Sequence, residues 1–229
     1  MAARPIFLPG TTACGPVRVE TIEFTWHAGL SKSQKQRSIE ALHDAGKSRL
    51  AVGALLEISS KSKTVLGTKL SAFRLCLGGI KNKPVTVEGA FQGSKVFEHG
   101  GPYTDLLTAD PAKAKRDPRL HSSGRLVRFH ANGADWPLEP KTLFYDWMYI
   151  RALLKHPDLS RELMRYDGFT DIEFNPSKSF SCQAHAAALY VQLVKHGVLE
   201  HVMSTVDTYV ACLGSQDEGV QNNGQLVLF

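Results

Sequence analysis

The sequence predicts an α+β fold, predominantly α-helical, in a single domain with a few short strands. Apolar residues recur at helical spacing in several separate segments, and short apolar or alternating runs lie between them, bounded by glycine or proline. The size agrees: 229 residues, 43% hydrophobic and 21% charged, suffice for one sizeable core. Residues 1–206 read as the domain, with residues 1–50 as an N-terminal extension and residues 207–229 as a C-terminal tail that turns polar at Gly214. No internal repeat is visible.

Ile22, Phe24 and Trp26 alternate with polar residues and predict a strand. Ser31-Lys-Ser-Gln34 then forms a capping box that opens a helix to about Ala45, with Ile39 and Leu42 facing the core. Ala51 to Ile58 is apolar and fits either a strand or a buried helical turn. It runs into Ser59-Ser-Lys-Ser-Lys63, a polar loop of the kind that carries ligand-binding groups. Gly78-Gly79 and Pro84 mark a turn before a helix predicted from Thr86 to Phe97. Asp110-Pro111 reads as an N-cap with proline at the first helical position. Leu126 to Phe129 is a short strand, and Pro140 begins the most hydrophobic helix, through His156, with Leu143, Trp147, Ile150 and Leu154 as its core stripe. Helices follow at Leu159–Tyr166 and Ala184–His196, ended by Gly168 and Gly197. The last segment closes on an apolar stretch, Leu226–Phe229, that could form a pinned strand.

Composition narrows the function classes. No apolar run reaches 18 residues, so a membrane span is not expected, and the N-terminal stretch is too short for a signal peptide; a cytoplasmic protein is expected. Cys14, Cys76, Cys182 and Cys212 are scattered, which fits free buried thiols. His185 follows Cys182 at three residues, but two ligand types without further partners do not make a metal site, and neither metal nor cofactor is expected. The net charge of +5 permits a polyanionic partner. Basic residues cluster at Lys32, Lys35 and Arg37, at Lys61, Lys63 and Lys69, and at Lys113, Lys115, Arg116 and Arg119.

The helix at 86–97 carries the most chemistry. Glu88, Gln92 and Lys95 lie at i, i+4 and i+7 beside an apolar stripe that includes Phe91. Gly89 and Gly93 each cost a helix roughly 1 kcal/mol relative to alanine, which is easier to explain if something approaches the backbone closely. Phosphate-binding loops, dinucleotide fingerprints, nucleophile elbows and zinc-protease motifs are absent. Polar residues in apolar surroundings remain: Lys61, Ser71, Glu88, Asp171 and Gln183. Taken one at a time, each has an ordinary explanation as a cap, a turn or a surface residue.

Together they resemble a known family. Ser71-Ala-Phe73, followed by Glu88-Gly-Ala-Phe-Gln-Gly-Ser-Lys95, resembles the Ser-Asn-Phe and Glu-His-x-Phe-Gln-x-x-Lys elements of the NADAR family. Asp171 and the Cys182-Gln183 helix entry resemble its distal elements, and Leu56 to His196 is covered. Ala72 and Gly89 depart from the family's Asn and His, and the distal tryptophan-glycine motif is missing. The N-terminal segment, with Phe24-x-Trp26 and Ser31 to Gln36, is similar to the branch that accompanies DarT-type DNA ADP-ribosyltransferase toxins.

The resemblance implies a glycohydrolase antitoxin that removes ADP-ribose from the guanine base of DNA, with ADP-ribosylated DNA as substrate, ADP-ribose as product and a cognate toxin as partner. It further implies Lys61 as a Schiff-base nucleophile, with Lys63 and Lys95 as rivals, and Glu88 as the acid/base. Such a lysine must have its pKa lowered from about 10.4. Lys35, Ser59 and Ser60 are candidates for the phosphates, Phe73 and Tyr103 for stacking on a base, and Ser71, Gln92, Lys95, Asp171 and Gln183 for positioning the substrate. An N-glycosidase of a small nucleotide metabolite and a non-catalytic reader of ADP-ribosylated nucleic acid are the alternatives.

Overall fold

A computed structural model describes residues 1–29, 31–176 and 182–214. The chain begins with β1 (Ala2–Leu8) and β2 (Arg18–Phe24), which pair antiparallel from Ala2↔Phe24 to Leu8↔Arg18. The helix α1 (Lys32–Leu50) follows, and β3 (Leu55–Glu57) then lies at the far edge of the sheet. Next come α2 (Val65–Lys69), the hairpin β4 (Cys76–Ile80) and β5 (Lys83–Thr86), α3 (Val87–Gly93) and β6 (Lys95–Phe97). A 3-10 helix, Thr104–Thr108, leads into α4 (Pro111–Lys115) and α5 (Arg119–Ser122). Strands β7 (Leu126–Ala131) and β8 (Ala134–Trp136) join β6 in a three-stranded sheet. The rest is α6 (Leu143–Leu154), α7 (Pro157–Leu163), β9 (Gly168–Thr170), α8 (Gln183–Lys195), α9 (Leu199–Val202) and α10 (Val206–Leu213).

The main sheet has the order β2-β1-β9-β3, with β9 antiparallel to β1 through Phe7↔Phe169 and parallel to β3. Its side chains alternate between two cores, as the pleat requires. Ile6, Leu8, Ile22, Phe24 and Leu55 pack with Ile39 and Leu42 of α1 on one face. Phe7, Leu56 and Phe169 face the larger core built by α6 and α8.

The two-state reading of 51–58 resolves as a strand, and the capping box of α1 is present, with Gln34 N donating to Ser31 Oγ and Ser31 N to Gln34 Oε1. Asp110 caps α4, accepting from Lys113 N at 3.0 Å, and Gly197 ends α8 at φ 69°.

Several expectations change. The helix from Thr86 stops at Gly93, because Lys95 pairs with Phe129 as the first residue of β6. Gly168 does not cap a helix but opens the buried strand β9. The stripe on α6 is broader than Leu143, Trp147, Ile150 and Leu154: Phe144, Met148, Tyr149 and Leu153 are buried, whereas Leu154 is 42% exposed. The tail expected from Asp207 begins within α10, where Tyr209 is fully buried and its hydroxyl donates to Leu143 O at 3.0 Å.

The expectation of four free thiols is corrected: Cys14 and Cys212 form a disulfide, and Cys76 and Cys182 are free. Two distant segments meet there because buried Gln192 clamps the loop after β1. Its amide accepts from Gly10 N at 2.7 Å and donates to Thr12 O, Ala13 O and Gly15 O. The expected closing strand at 226–229 lies outside the described residues. Among those described, no helix is long and apolar enough to cross a membrane.

Candidate active site

The N-terminal half of α3 is held by its neighbours on every side. Thr86 caps it, its Oγ1 accepting from Gly89 N at 3.1 Å, and Glu88 N donates to Ala72 O at 2.9 Å. The close approach expected at the two glycines is made by the chain itself. A Cβ on Gly89 would lie 3.0 Å from both Leu106 O and Leu107 O of the 3-10 helix, and one on Gly93 would lie 3.2 Å from Tyr103 O. With that helix packed so tightly behind it, α3 presents Glu88 and Gln92 to a cavity of about 810 Å³. This is within the size range of ligand pockets, about 300–1,000 Å³.

Ser59, Ser60, Ser71, Phe73, Glu88, Gln92, Lys95, Asp171 and Gln183 all line this cavity. Lys61, Lys35 and Tyr103 are not among the lining residues. The backbone N–H of Lys61 donates to Ser59 Oγ at 3.1 Å, which turns the polar loop. Lys35 places its ammonium 4.7 Å from the centroid of Trp26, and Tyr103 bonds Ser123 and lies under Arg119. Lys63, the other rival nucleophile, is ion-paired with Glu40.

Glu88 is buried and its Oε1 accepts from Gln92 Nε2 at 2.9 Å. Gln92 Oε1 and Ser71 Oγ, both buried on the cavity wall, have no hydrogen-bond partner among the described residues. Buried polar atoms are seldom left so, and here they face space for a ligand. Lys95 lies 4.8 Å from the centroid of Phe91. Burial pushes its pKa down to about 8; Lys115 adds to the fall and the Glu88 carboxylate opposes it. Lys115 in turn sits 5.4 Å from the ring of Phe73.

Elsewhere in the cavity lining Gln183 joins three segments. Its Nε2 donates to Ile58 O at 2.6 Å and to Asp171 Oδ2 at 2.9 Å, and its Oε1 accepts from Ala72 N at 2.7 Å. The two distal residues of the resemblance therefore touch. Asp171 has its pKa raised to about 7, first by burial and then by the charge of Glu57, against the stabilising Glu173 N–H and Gln183 amide. Behind it a buried polar chain runs from His43 through Thr170 to Glu57, with Thr170 Oγ1 donating to Glu57 Oε2 at 2.6 Å. Burial lowers His43 to about 4 and raises Glu57.

Sequence reasoning missed several lining residues. Phe91 stood inside the motif as a core residue, Lys115 belonged to a basic cluster, and Arg74 adjoined Phe73. Tyr145 carried no signal, being one apolar position among many on α6. Among the described residues, no group of three or more His, Cys, Asp or Glu side chains could hold a metal ion.

An α+β domain with a carboxylate, an amide and an amine lining one cavity of about 810 Å³ defines a protein with a ligand-sized pocket. More particularly, the chain belongs to the DarT1-associated NADAR antitoxin family, whose sequence profile matches residues 2–223. No curated protein matches it.

Proposed function

We propose that this protein is a glycohydrolase that releases ADP-ribose from the guanine base of DNA and so reverses the damage done by a cognate DarT1-type toxin. The observation that carries this reading is the meeting of Lys95 and Glu88 on one cavity wall, with Lys95 held near a pKa of about 8. At neutral pH roughly one such lysine in ten is unprotonated, against fewer than ~1 in 1,000 for an ordinary one. We assign the nucleophile to Lys95 rather than Lys61 on that ground.

The chemistry runs in balanced steps. The ribose ring opens as its ring oxygen takes a proton and the C1″–N bond to the guanine exocyclic amine becomes an imine. Neutral Lys95 adds to that carbon, the Glu88 carboxylate takes the protons of the attacking amine in turn and hands them to the guanine nitrogen, and the base departs as the free amine, leaving C1″ joined to Lys95 as a Schiff base. Glu88 then takes a proton from water as its oxygen adds to C1″. The lysine leaves as an amine, and the free aldehyde recloses as ADP-ribose. Asp171, held by Gln183, faces the ribose hydroxyls, while Ser59, Ser60, Arg74 and Lys115 supply donors for the phosphates.

Incubation with an oligonucleotide carrying ADP-ribosyl guanine should release free ADP-ribose. A gel shift without release would make the protein a reader instead. Turnover of a free nucleotide with none of the DNA would make it a metabolite glycosidase.

A further inference from the structure

Beside the cavity lies a second depression of about 790 Å³, and the two share Phe73, Arg74 and Pro111 as a common wall. We propose that this cleft seats the phosphodiester backbone of a single DNA strand, so that a modified base turns over the common wall into the cavity. The inference rests on the function proposed above and names how that substrate is held.

Three observations carry it. The cleft contributes Lys69, Arg74, Lys155 and His156 against one carboxylate, Asp158. Lys69 and Arg74 are exposed, and no salt bridge involves either among the described residues. The cleft also contributes apolar surfaces, Phe73, Pro84 and Leu159, against which sugars and bases can rest.

The second observation is position. The start of α3 lends Thr86 to the cleft and Glu88, two residues on, to the cavity. A strand in the cleft therefore lies at the same end of α3 as the carboxylate that must protonate the departing base.

The third is the hairpin of β4 and β5, which supplies Cys76, Pro84 and Thr86 to the cleft wall. Its turn, Lys81-Asn82, has φ of 48° and 63°, and it carries exposed Lys81 and Lys83 together with Ile80, 45% exposed. Two ammonium groups around an exposed branched side chain suit a surface that neutralises phosphate and rests against an unstacked base.

The test uses the intact protein and an unmodified oligodeoxythymidine, with binding followed by fluorescence anisotropy over a range of salt. Binding to a single strand should weaken linearly on a log–log plot, with a slope that falls by about 0.7 for each cation lost, hence about 1.4 for Lys69→Gln/Lys83→Gln. Arg49→Gln, on α1 across the main sheet, should leave the slope unchanged. If the double variant misfolds, Lys83→Gln alone, exposed at the start of β5, should lower the slope by about 0.7. Neither lysine lines the cavity, so the double variant should turn over ADP-ribosyl guanosine like the parent while its KM for the modified oligonucleotide rises. An unchanged slope in folded variants overturns the strand assignment and turns the cleft toward an acidic protein surface. The anisotropy probe carries no ADP-ribose. Binding as described without ADP-ribose release from modified DNA would therefore sink the glycohydrolase reading alone.

Discussion

At the scale of single residues, the proposed chemistry turns on the pair Lys95 and Glu88. Borohydride trapping during turnover should leave an adduct on Lys95; a trapped adduct on Lys61, or full activity in Lys95→Ala, would move the nucleophile back to the loop. Because the lysine acts as the free amine, kcat/KM should rise about tenfold per pH unit below pH 8 and level off above it. Lys115 helps hold that pKa down, so Lys115→Gln should shift the rising limb to higher pH. Glu88→Gln should lower kcat by about 10²- to 10⁴-fold, measured as ADP-ribose released.

Asp171 supplies a stability test. Its folded pKa of about 7 lies above the ordinary carboxylate value, so the fold disfavours its charge. The resulting destabilisation is full above about pH 7 and disappears as pH falls toward the unfolded value near 4. Asp171→Asn is therefore expected to gain relative to the parent in thermal melts at alkaline pH and to lose that relative gain in acid. Glu88, Gln92 and Lys95 were legible as a set because their spacing survives the early end of α3: Lys95 left the helix yet stayed on the cavity wall. Lys61 lies off the cavity lining for a physical reason, since sequence places a residue in a loop without saying which way the loop turns.

At the scale of elements, the amphipathic helices and their caps were readable because caps and periodicity are local properties. Strands β1 and β9 were not. β9 is three residues long and owes its existence to partners far along the chain, Phe7 and Leu56 among them. α2 was missed as well, its five residues too few to show a period. The cavity hangs on such non-local links, above all Gln183. Gln183→Ala strands Ala72 N and Ile58 O, and should cost about 2–6 kcal/mol in urea unfolding, as buried main-chain groups lose partners worth roughly 1–3 kcal/mol each. Gly89→Ala tests the packing behind α3. Its Cβ would press on two carbonyl oxygens of the 3-10 helix, so activity should fall even though alanine is the better helix former.

At the scale of the whole molecule, the disulfide joins residues 198 apart in sequence and fastens α10 to the loop after β1. Opening it by Cys14→Ser should lower unfolding free energy by about 2–4 kcal/mol. The sequence could not disclose this pair, because the two cysteines lie 198 residues apart and meet only in the folded chain. The net charge of +5 was legible, but its concentration beside the cavity was not, since Lys69, Arg74 and Lys155 come from three separate elements.

The arrangement of the main sheet also has a consequence in time. β1 is made first but is flanked by β9, and β3 has no partner in the sheet until Gly168–Thr170 exists. Asp171 and Gln183 come later still. A growing polypeptide on the ribosome therefore carries α3 with its glutamate long before the Asp171 and Gln183 part of the cavity lining has been synthesised. Protection against a toxin made at the same moment would then lag by the time needed to translate past Gln183 and close the sheet, a delay that favours synthesis of the antidote first.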